Sequence, residues 1–379
     1  MTASIVRGWC PGAHRPMLSG DGLVVRVRPF KAQVTGEQVI RLCDLADAFG
    51  NGLIDLTSRA NLQIRGVAEA DHPALLVALD QLGLIDSDPA VEGHRNILMP
   101  PDWEPGDLTD RLYDALLTCL PRLPALPEKM GFALDTSNTG QLQDGSADFR
   151  FERSATGSLI LRADGATAGR AVSESTTISA LQEMAEWFVA SNGPPAGRMA
   201  RHLKAARLPK DWRKETPRPA SGVYLPGPVT GGMVLGVPFG KISTGSLRAL
   251  VDGHPDTILR LMIGRRIMVH PPPAAQTPGF VTTPRDPRMR AHTCPGAPFC
   301  PQSQADTQTL ANRLARSLPA NVTLHVSGCA KGCAHPRRAS HTLVGRDGGF
   351  DLVLNGTPWD EPSSTGLAPD SLATFKDLT

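Results

Sequence analysis

The order of apolar and polar positions near the start of the chain predicts a strand, a helix and two more strands. Residues 22–30 form an apolar run followed by a short loop. Thr35 then occupies a helix N-cap position with Gln38 three residues later, and an apolar stripe with helical period continues until Gly50. Two further strand-like runs follow, at 53–56 and 61–67.

This pattern recurs in the second half of the chain. Residues 22–36 and residues 232–245 share the order of apolar run, loop and Thr-Gly pair. Strand-like runs follow the second copy at 258–261 and 266–269, and hairpin-like segments occur downstream of the two copies at 148–165 and 341–356. The repeat predicts two copies of one larger unit, with a ligand held between them. The alternative is that short patterns match by chance.

Composition narrows the classes of function. The chain has 379 residues and a formal net charge of +2, which gives no reason to expect a nucleic acid or a membrane as partner. Residues 1–9 lack an apolar stretch of signal-peptide length, and no later segment has the length of a membrane span. We therefore expect a cytoplasmic protein.

Four of the seven cysteines form two pairs within forty residues. Cys294 and Cys300 are a C-x5-C pair on a proline-containing loop, and Cys329 and Cys333 are a C-x3-C pair flanked by glycines. A helical pattern at 307–318 separates the pairs. Four thiolates on such loops are what a [4Fe-4S] cluster requires. The other cysteines are widely scattered, at Cys10, Cys43 and Cys119.

The four cysteines leave alternatives open. A structural zinc site also takes four thiolates, but its usual knuckles have two to four residues between cysteines, which the C-x5-C pair exceeds. Buried cysteines without a ligand are the other alternative. The spacing favours the iron-sulfur cluster over both.

A second candidate site lies in residues 57–65. If this segment is extended, alternate residues share one polar face. Arginines among amide and hydroxyl groups suit a ligand with several carboxylates, because guanidinium groups bind carboxylates through two hydrogen bonds. A solvated strand face is the alternative. The residues of this face are Thr57, Arg59, Asn61, Gln63 and Arg65.

The cysteine pattern resembles that of the sulfite/nitrite reductase family, in which C-x5-C is followed about thirty residues later by G-C-x-x-G-C. Residues 325–336, together with the Cys-Pro-Gly-Ala-Pro segment at Cys294, resemble the branch of that family that makes precorrin-3B in aerobic cobalamin synthesis. The similarity extends from about Arg7 to Gly356. It implies an α+β fold, a pseudo-two-fold duplicated nitrite/sulfite reductase architecture with ferredoxin-like half domains and a 4Fe-4S-binding module.

The resemblance also implies the division of the chain. We expect a first ferredoxin-like half domain, a first α+β module without cluster cysteines, a linker, a second ferredoxin-like half domain and the 4Fe-4S-binding module. Their expected bounds are 1–80, 81–195, 196–230, 231–285 and 286–379.

Family resemblance extends to the polar segment. Residues 57–63 are similar to the stretch that holds the sirohaem carboxylates in the reductases, and residues 94–96 are similar to their second arginine, here Arg95. The reductases carry two lysines where this chain has Lys129 and Gly131. The resemblance therefore implies Arg59 and Arg95 as the leading carboxylate ligands, Asn61, Gln63 and Arg65 as further substrate-binding residues, and Lys129 as a catalytic residue.

The function implied by this resemblance is an O2-dependent monooxygenase reaction, in which precorrin-3A is hydroxylated at C20 while a γ-lactone forms. The electrons would come from an external NADH-linked donor, because no dinucleotide or flavin motif follows a predicted strand. The resemblance also implies a mononuclear non-haem iron. No ligand set for that iron is recognisable by spacing, although five residues are candidates: Cys10, His292, His325, His335 and His341.

Two other functions remain open at this stage. A sirohaem-dependent sulfite or nitrite reductase would use the same four cysteines, and the missing second lysine weakens that alternative. An iron-sulfur electron-transfer protein without catalysis would need neither the polar face nor a chain of this length.

Overall fold

The computed structural model describes residues 11–137, 139–220, 222–254, 256–274 and 277–378. None of the helices in these ranges is long and apolar enough to cross a membrane. The strands of the first half are β1 Met17–Ser19, β2 Gly22–Val27, β3 Gln33–Thr35, β4 Leu53–Leu56, β5 Leu62–Val67, β6 Ile97–Leu98, β7 Phe132–Asp135, β8 Phe149–Arg153, β9 Leu159–Ala163 and β10 Arg170–Ala171. Those of the second half are β11 Gly227–Val229, β12 Gly232–Gly236, β13 Lys241–Ser243, β14 Ile258–Met262, β15 Arg266–His270, β16 Ala291–Thr293, β17 Leu324–Ser327, β18 Ala339–Arg346, β19 Gly349–Gly356 and β20 Ser364–Leu367.

Five of the helices named below begin at a side-chain cap. Thr35 accepts a hydrogen bond from the Gln38 backbone N–H, and the Gln38 side chain accepts one from the Thr35 N–H, so the predicted capping box is present. Ser243 caps the corresponding helix of the second half. The helices are α1 Gly36–Phe49, α2 His72–Gln81, α3 Pro89–His94, α4 Leu108–Cys119, α5 Thr177–Ala190, α6 Met199–His202, α7 Thr244–Ala249 and α8 Thr307–Ala315.

The two half domains exchange a strand. One sheet has the order β1-β2-β5-β4-β13, and its counterpart has the order β11-β12-β15-β14-β3. Each half thus completes the sheet of the other, through the pairs β13 with β4 and β3 with β14. The chain crosses over after a turn with positive φ, at Lys31 in the first half and Phe239 in the second. The exchange explains why the two sequence copies match through this turn.

The two remaining sheets also share one topology. Strands β6, β7 and β8 are parallel and continue into the antiparallel β9 and β10. Strands β16, β17 and β18 are parallel and continue into the antiparallel β19 and β20. A helix connects the first two strands in each case, α4 in the first module and α8 in the second. The predicted duplication therefore extends through all four units.

The segment predicted as a linker packs against the first α+β module. Its backbone pairs with that module at Ser154 with Pro217 and at Gly169 with Glu215. Trp212 is buried, with its ring 6.1 Å from that of Trp187 on α5. The apolar side chains of this segment therefore hold it in place despite its content of proline, glycine and basic residues. Strand β11 also begins before the expected start of the second half domain at 231.

Candidate functional site

The four cysteines predicted to bind a cluster follow the carboxyl ends of two neighbouring parallel strands. Cys294 comes directly after β16, and Cys329 comes two residues after β17. Adjacent parallel strands end at the same edge of a sheet, so the two cysteine loops meet there. The Gly328 N–H donates a hydrogen bond to the Cys294 Sγ at 3.2 Å and links the loops directly. The structure therefore brings the two predicted pairs together.

Two glycines allow the cysteine loops to pack closely. A Cβ atom at Gly328 would collide with the Ser303 side chain, and one at Gly296 would collide with Thr307. Thr307, the first residue of α8, also donates a hydrogen bond from its hydroxyl to the Cys294 carbonyl at 2.8 Å. Helix α8 thus holds the first cysteine loop, as its position between the pairs predicts.

The four thiols lie close enough together to influence the pKa of Cys333. Burial raises the pKa of Cys333, and the nearby Cys329, Cys294 and Cys300 raise it further. Burial also raises the pKa of Cys294, against the hydrogen bond from Gly328. Thiolates crowded in this way need a positive charge, which iron supplies when a cluster is bound.

The four thiols could hold a cubane cluster. Among the described residues, no group of three or more His, Cys, Asp and Glu side chains could hold one metal ion. In a [4Fe-4S] cluster each thiolate binds a different iron, so the four sulfurs need not converge on one point. Cys333 is exposed, while Cys294 is buried and the other two lie between these extremes.

Three of the histidines predicted as candidate iron ligands form a cluster beside the cysteine loops. His292 and His335 stack with ring centroids 4.1 Å apart, and His325 meets His335 edge-on. Burial, followed by the charge of Arg265, lowers the pKa of His292 to about 2, and burial lowers the pKa of His325 to about 4. These imidazoles are neutral at neutral pH.

This arrangement does not fit a mononuclear iron. Face-to-face stacking directs the nitrogen lone pairs of the two rings side by side instead of toward a common point. The fourth candidate, His341, packs edge-on against Phe375 at 4.7 Å. Cys10, the fifth, lies outside the described residues.

The first cysteine loop is docked on the first half domain. The Phe299 carbonyl accepts hydrogen bonds from the Gly20 N–H at 3.0 Å and from the Ser19 hydroxyl at 2.5 Å, and from Arg65 at 3.4 Å. A side chain at Gly20 would collide with the Pro298 carbonyl. The turn between β1 and β2 is therefore shaped to receive the residues next to Cys300.

The predicted polar face is only partly a strand. Residues 57–61 form a turn in which the Thr57 N–H donates to the Asn61 carbonyl at 2.8 Å and Ala60 has a φ of 54°. The prediction of an extended segment is therefore wrong before Leu62, where β5 begins. The Thr57 hydroxyl accepts hydrogen bonds from the Arg59 and Asn61 N–H groups. These bonds stabilise a turn in place of the extended strand that the alternating pattern predicts.

Arg59 lies in this turn, and its side chain reaches the first α+β module. Its Nη2 donates to the Lys129 carbonyl and to the Ser146 hydroxyl, both at 3.0 Å. Arg59 and Lys129 are both half-buried. The structure thus places the leading predicted arginine beside the predicted lysine segment.

The side chains of Gln63 and Arg65 bind other residues of the protein. Arg26 on β2 donates two hydrogen bonds to the Gln63 Oε1, at 2.7 and 3.0 Å. Arg65 is 5% exposed and pairs with Asp21 at 2.8 Å and with Asp55 at 3.1 Å. Asn61 is also buried. The face is polar, as predicted, but its members in β5 bind one another.

Arg95 is buried in an ion cluster. Its side chain is 1% exposed, its Nη2 lies 2.6 Å from Glu92, and its guanidinium lies 3.8 Å above the Phe30 ring. Glu92 also pairs with Arg28 at 3.0 Å. Contact between Arg95 and a ligand would require this cluster to rearrange, so its role as a carboxylate ligand stays a prediction.

Gly131 has a steric reason for lacking a side chain. A Cβ atom there would lie 2.8 Å from the Asn96 carbonyl oxygen and 3.2 Å from the Asn96 Cβ. The Gly131 N–H also donates to Asp148 at 3.1 Å. The backbone therefore leaves no space for a lysine at the position where the reductases carry their second one.

Sequence reasoning missed several residues around Arg59. Arg198, from the segment predicted as a linker, pairs with the fully buried Asp148 at 2.9 Å, and Ser146 accepts hydrogen bonds from Arg198 as well as Arg59. The basic character of the linker was the available signal for Arg198. No pattern in the loop around Ser146 singles out this serine.

An ion pair connects the segments that carry the two candidate sites. Arg337, four residues after Cys333, lies 3.7 Å from Asp144, two residues before Ser146. A duplicated fold with four thiols at one sheet edge and a cationic turn on a segment in contact with that edge defines the class: an oxidoreductase with the nitrite/sulfite reductase fold.

Comparison with known proteins agrees with this class. Residues 15–82 match the nitrite/sulfite reductase ferredoxin-like half domain. The chain is 30% identical to precorrin-3B synthase of Sinorhizobium sp, across 96% of this chain and 86% of that protein. It is 23% identical to ferredoxin-nitrite reductase of Synechococcus elongatus with the same coverage. The structure of the Mycobacterium tuberculosis NirA protein superposes with a TM-score of 0.64 at 18% identity, covering 93% of this chain and 79% of that one.

The chain belongs to the precorrin-3B synthase family, within the nitrite/sulfite reductases. The predicted fold class is confirmed by the shared half domain and by the structural similarity.

Proposed function

We propose that the protein converts precorrin-3A into precorrin-3B in the aerobic route to cobalamin. The observation that carries this proposal is a group of four thiols near a cationic turn, with the Arg337–Asp144 ion pair connecting the two segments. The similarity to precorrin-3B synthase supports the choice of substrate.

Arg59 is the residue that we assign to the substrate carboxylates. Precorrin-3A carries acetate and propionate groups around its ring, and a guanidinium binds carboxylate through charge-assisted hydrogen bonds. Arg59 is held by the Lys129 carbonyl and by Ser146, which fixes its direction before a substrate arrives. Lys129 adds a second positive charge beside it. We assign Lys129 a role in orienting the anionic substrate near the reacting edge.

Cys294, Cys300, Cys329 and Cys333 are the residues that would hold a [4Fe-4S] cluster. When bound, the cluster stores and delivers single electrons. Hydroxylation inserts one atom of O2 at C20 and reduces the other to water with two electrons and two protons. The acetate on ring A closes to the γ-lactone in the same conversion. An external NADH-linked donor would supply the electrons. The stacked histidines do not fit a mononuclear iron, so we assign no step to such a centre.

The runner-up is a sirohaem-dependent sulfite or nitrite reductase. The similarity to a nitrite reductase favours it. The lack of space for a lysine side chain at Gly131 weighs against this function. Reduction of a small anion depends on a dense cationic pocket, to which a second lysine would contribute. A noncatalytic iron-sulfur carrier would leave the turn at Arg59 without a purpose.

The test is anaerobic purification followed by iron and acid-labile sulfide analysis, an optical and EPR spectrum, and parallel assays with precorrin-3A, sulfite and nitrite. We expect cluster iron and sulfide, no sirohaem absorption, and turnover of precorrin-3A only. A green protein with sirohaem bands that reduces sulfite or nitrite would contradict the proposal in favour of the runner-up.

A further inference from the structure

Arg265 lies in the turn between β14 and β15, and its side chain is held against the strand that leads to the first cysteine loop. Its Nη1 donates to the Ala291 carbonyl at 2.9 Å, and its Nη2 donates to the Met289 carbonyl at 3.0 Å. Ala291 begins β16, which ends directly before Cys294. The two hydrogen bonds therefore fix the guanidinium beside the backbone that carries the first cysteine pair.

The position of Arg265 repeats that of Arg59 in the duplicated fold. Arg59 lies in the turn between β4 and β5, and Arg265 lies in the corresponding turn of the second half domain. Arg59 donates to the Lys129 carbonyl of the first α+β module, whereas Arg265 donates to carbonyls of the second. Because the second module carries the two cysteine pairs, its arginine lies beside thiols.

The charge of Arg265 is retained at neutral pH. Burial, followed by the charge of Arg266, lowers the pKa of Arg265 to about 10, which still leaves the guanidinium protonated. Its two hydrogen bonds end at neutral carbonyl oxygens, and within the ranges that the structure describes it forms no ion pair. Arg337, by contrast, is exposed and lies 3.7 Å from Asp144. Water screens a buried charge less than an exposed one, so Arg265 acts more strongly on its surroundings.

Arg265 influences histidines next to both cysteine loops. His292 lies two residues before Cys294, and after burial the charge of Arg265 is the largest cause that lowers its pKa. His335 lies two residues after Cys333; burial lowers its pKa, and Arg265 is among the charges that lower it further. The positive charge is therefore close to both ends of the thiol group.

We infer that Arg265 raises the reduction potential of the cluster that the four thiols would hold, by placing a fixed positive charge beside both cysteine loops. The inference rests on the cluster assignment in the proposed function and deepens it. A [4Fe-4S] cluster with four thiolates is an anion, and the electron that it receives from the external donor makes it more negative. A nearby cation stabilises the reduced form more than the oxidised form, so the cluster accepts that electron more readily.

The test is an anaerobic redox titration of the purified full-length protein, in which the EPR signal of the reduced cluster is recorded against the solution potential. We expect Arg265→Gln, which removes the charge and keeps an N–H donor, to lower the midpoint potential. At a fixed potential the ratio of reduced to oxidised cluster should fall about threefold or more. Arg265→Lys keeps the charge and should retain the midpoint potential of the wild type.

Arg260 provides a matched control on the same hairpin. It also donates to two backbone carbonyls, those of Pro101 and Trp103, but these belong to the first module. Arg260→Gln should therefore leave the midpoint potential of the cluster unchanged.

Iron and acid-labile sulfide content reports whether each variant retains the cluster. If Arg265→Gln loses it, Arg265→Met, which is also neutral, takes its place. A wild-type midpoint potential in a neutral variant that contains the cluster would overturn the inference and leave the proposed function standing. An equal decrease in Arg265→Lys would also overturn it, because the shape of the guanidinium and not its charge would then set the potential. A wild-type protein without cluster iron and sulfide would instead contradict the cluster assignment of the proposed function.

Discussion

Gly131 is the residue at which this chain departs most clearly from the lysine pair of the reductases, and the departure is enforced by packing. Asn96, which a side chain at 131 would strike, donates from its Nδ2 to the Met130 carbonyl at 3.3 Å and accepts from Arg28 at 3.3 Å. Any side chain at 131 would displace Asn96 and disturb the buried Arg28–Glu92 pair.

We therefore expect Gly131→Ala to lower stability by about 1–3 kcal/mol, the usual cost of overpacking. Chemical denaturation measures the effect. Gly93→Ala is the matched control, because a Cβ atom at Gly93, within α3, meets nothing within 4 Å. Equal stability of Gly131→Ala and the wild type would show that the site accepts a side chain and would remove the steric argument against the reductase.

Arg59 and Arg95 are expected to behave differently when each is replaced by alanine. Arg59→Ala should weaken precorrin-3A binding by about 1.5–3 kcal/mol, because charge-assisted hydrogen bonds to a carboxylate are lost. Arg95→Ala should chiefly lower the melting temperature, since its side chain is 1% exposed and paired with Glu92. Anaerobic binding titrations and thermal melts separate the two effects. A loss of binding without a loss of stability in Arg95→Ala would restore Arg95 as a direct ligand.

The cysteines allow a prediction with a control inside the same chain. Replacing any of Cys294, Cys300, Cys329 or Cys333 by serine should abolish or badly damage the cluster signal in the EPR spectrum. Replacing Cys43 or Cys119 should not, because both are buried on helices away from the thiol group, and burial raises the pKa of Cys43 to about 12. Full iron and sulfide content in Cys329→Ser would refute the assignment.

At the scale of elements, local signals in the sequence were sufficient for most of the fold. The N-cap at Thr35, the strand Leu53–Leu56 and the hairpin of β18 with β19 occur where capping chemistry, alternation and turn residues predict them. Helix α8 begins at Thr307 as predicted but ends at Ala315, earlier than the apolar spacing indicates.

The features that the sequence did not predict depend on contacts between segments that are distant along the chain. The strand exchange of β3 and β13 follows from which sheet edges meet after the duplicated halves assemble, and no local pattern encodes it. Arg95 was expected to bind a ligand because residues 94–96 resemble the segment that carries the second arginine of the reductases. Its actual partner, Glu92, lies three residues away within the sequence that was considered, but the burial of the pair could not be foreseen.

Arg65 links elements from three places in the fold, and its loss should have a distinctive pH dependence. It pairs with Asp21 and Asp55 and reaches the Phe299 carbonyl of the cysteine loop. Arg65→Ala leaves two carboxylates together without their cation, at a cost of about 3–5 kcal/mol for a broken buried pair. Burial already raises the pKa of Asp55, and removal of Arg65, which opposes that shift, raises it further.

The loss of stability in Arg65→Ala should therefore be largest at neutral pH, where both carboxylates are ionised, and should shrink as acidification protonates them. Urea denaturation of the variant and the wild type at neutral and mildly acidic pH tests this. A stability difference that is constant with pH would mean that packing, and not the ion pair, is what Arg65 contributes.

At the scale of the whole molecule, duplication produces two similar α+β modules, of which only the second carries the two cysteine pairs. The carboxyl ends of β16 and β17 are followed by Cys294 and Cys329, whereas the equivalent ends of β6 and β7 are followed by Met99 and Thr136. The first module instead supplies Lys129, Ser146 and Asp148 near Arg59. Under the proposed function, one module would hold the redox centre and the other would bind the substrate carboxylates.

We propose that the protein inserts oxygen into precorrin-3A. The most direct test supplies 18O2 to the reduced protein with precorrin-3A and measures the mass of the product. We expect the product to gain one labelled oxygen atom, because the C20 hydroxyl oxygen comes from O2. Label that enters only from 18O-labelled water would contradict it.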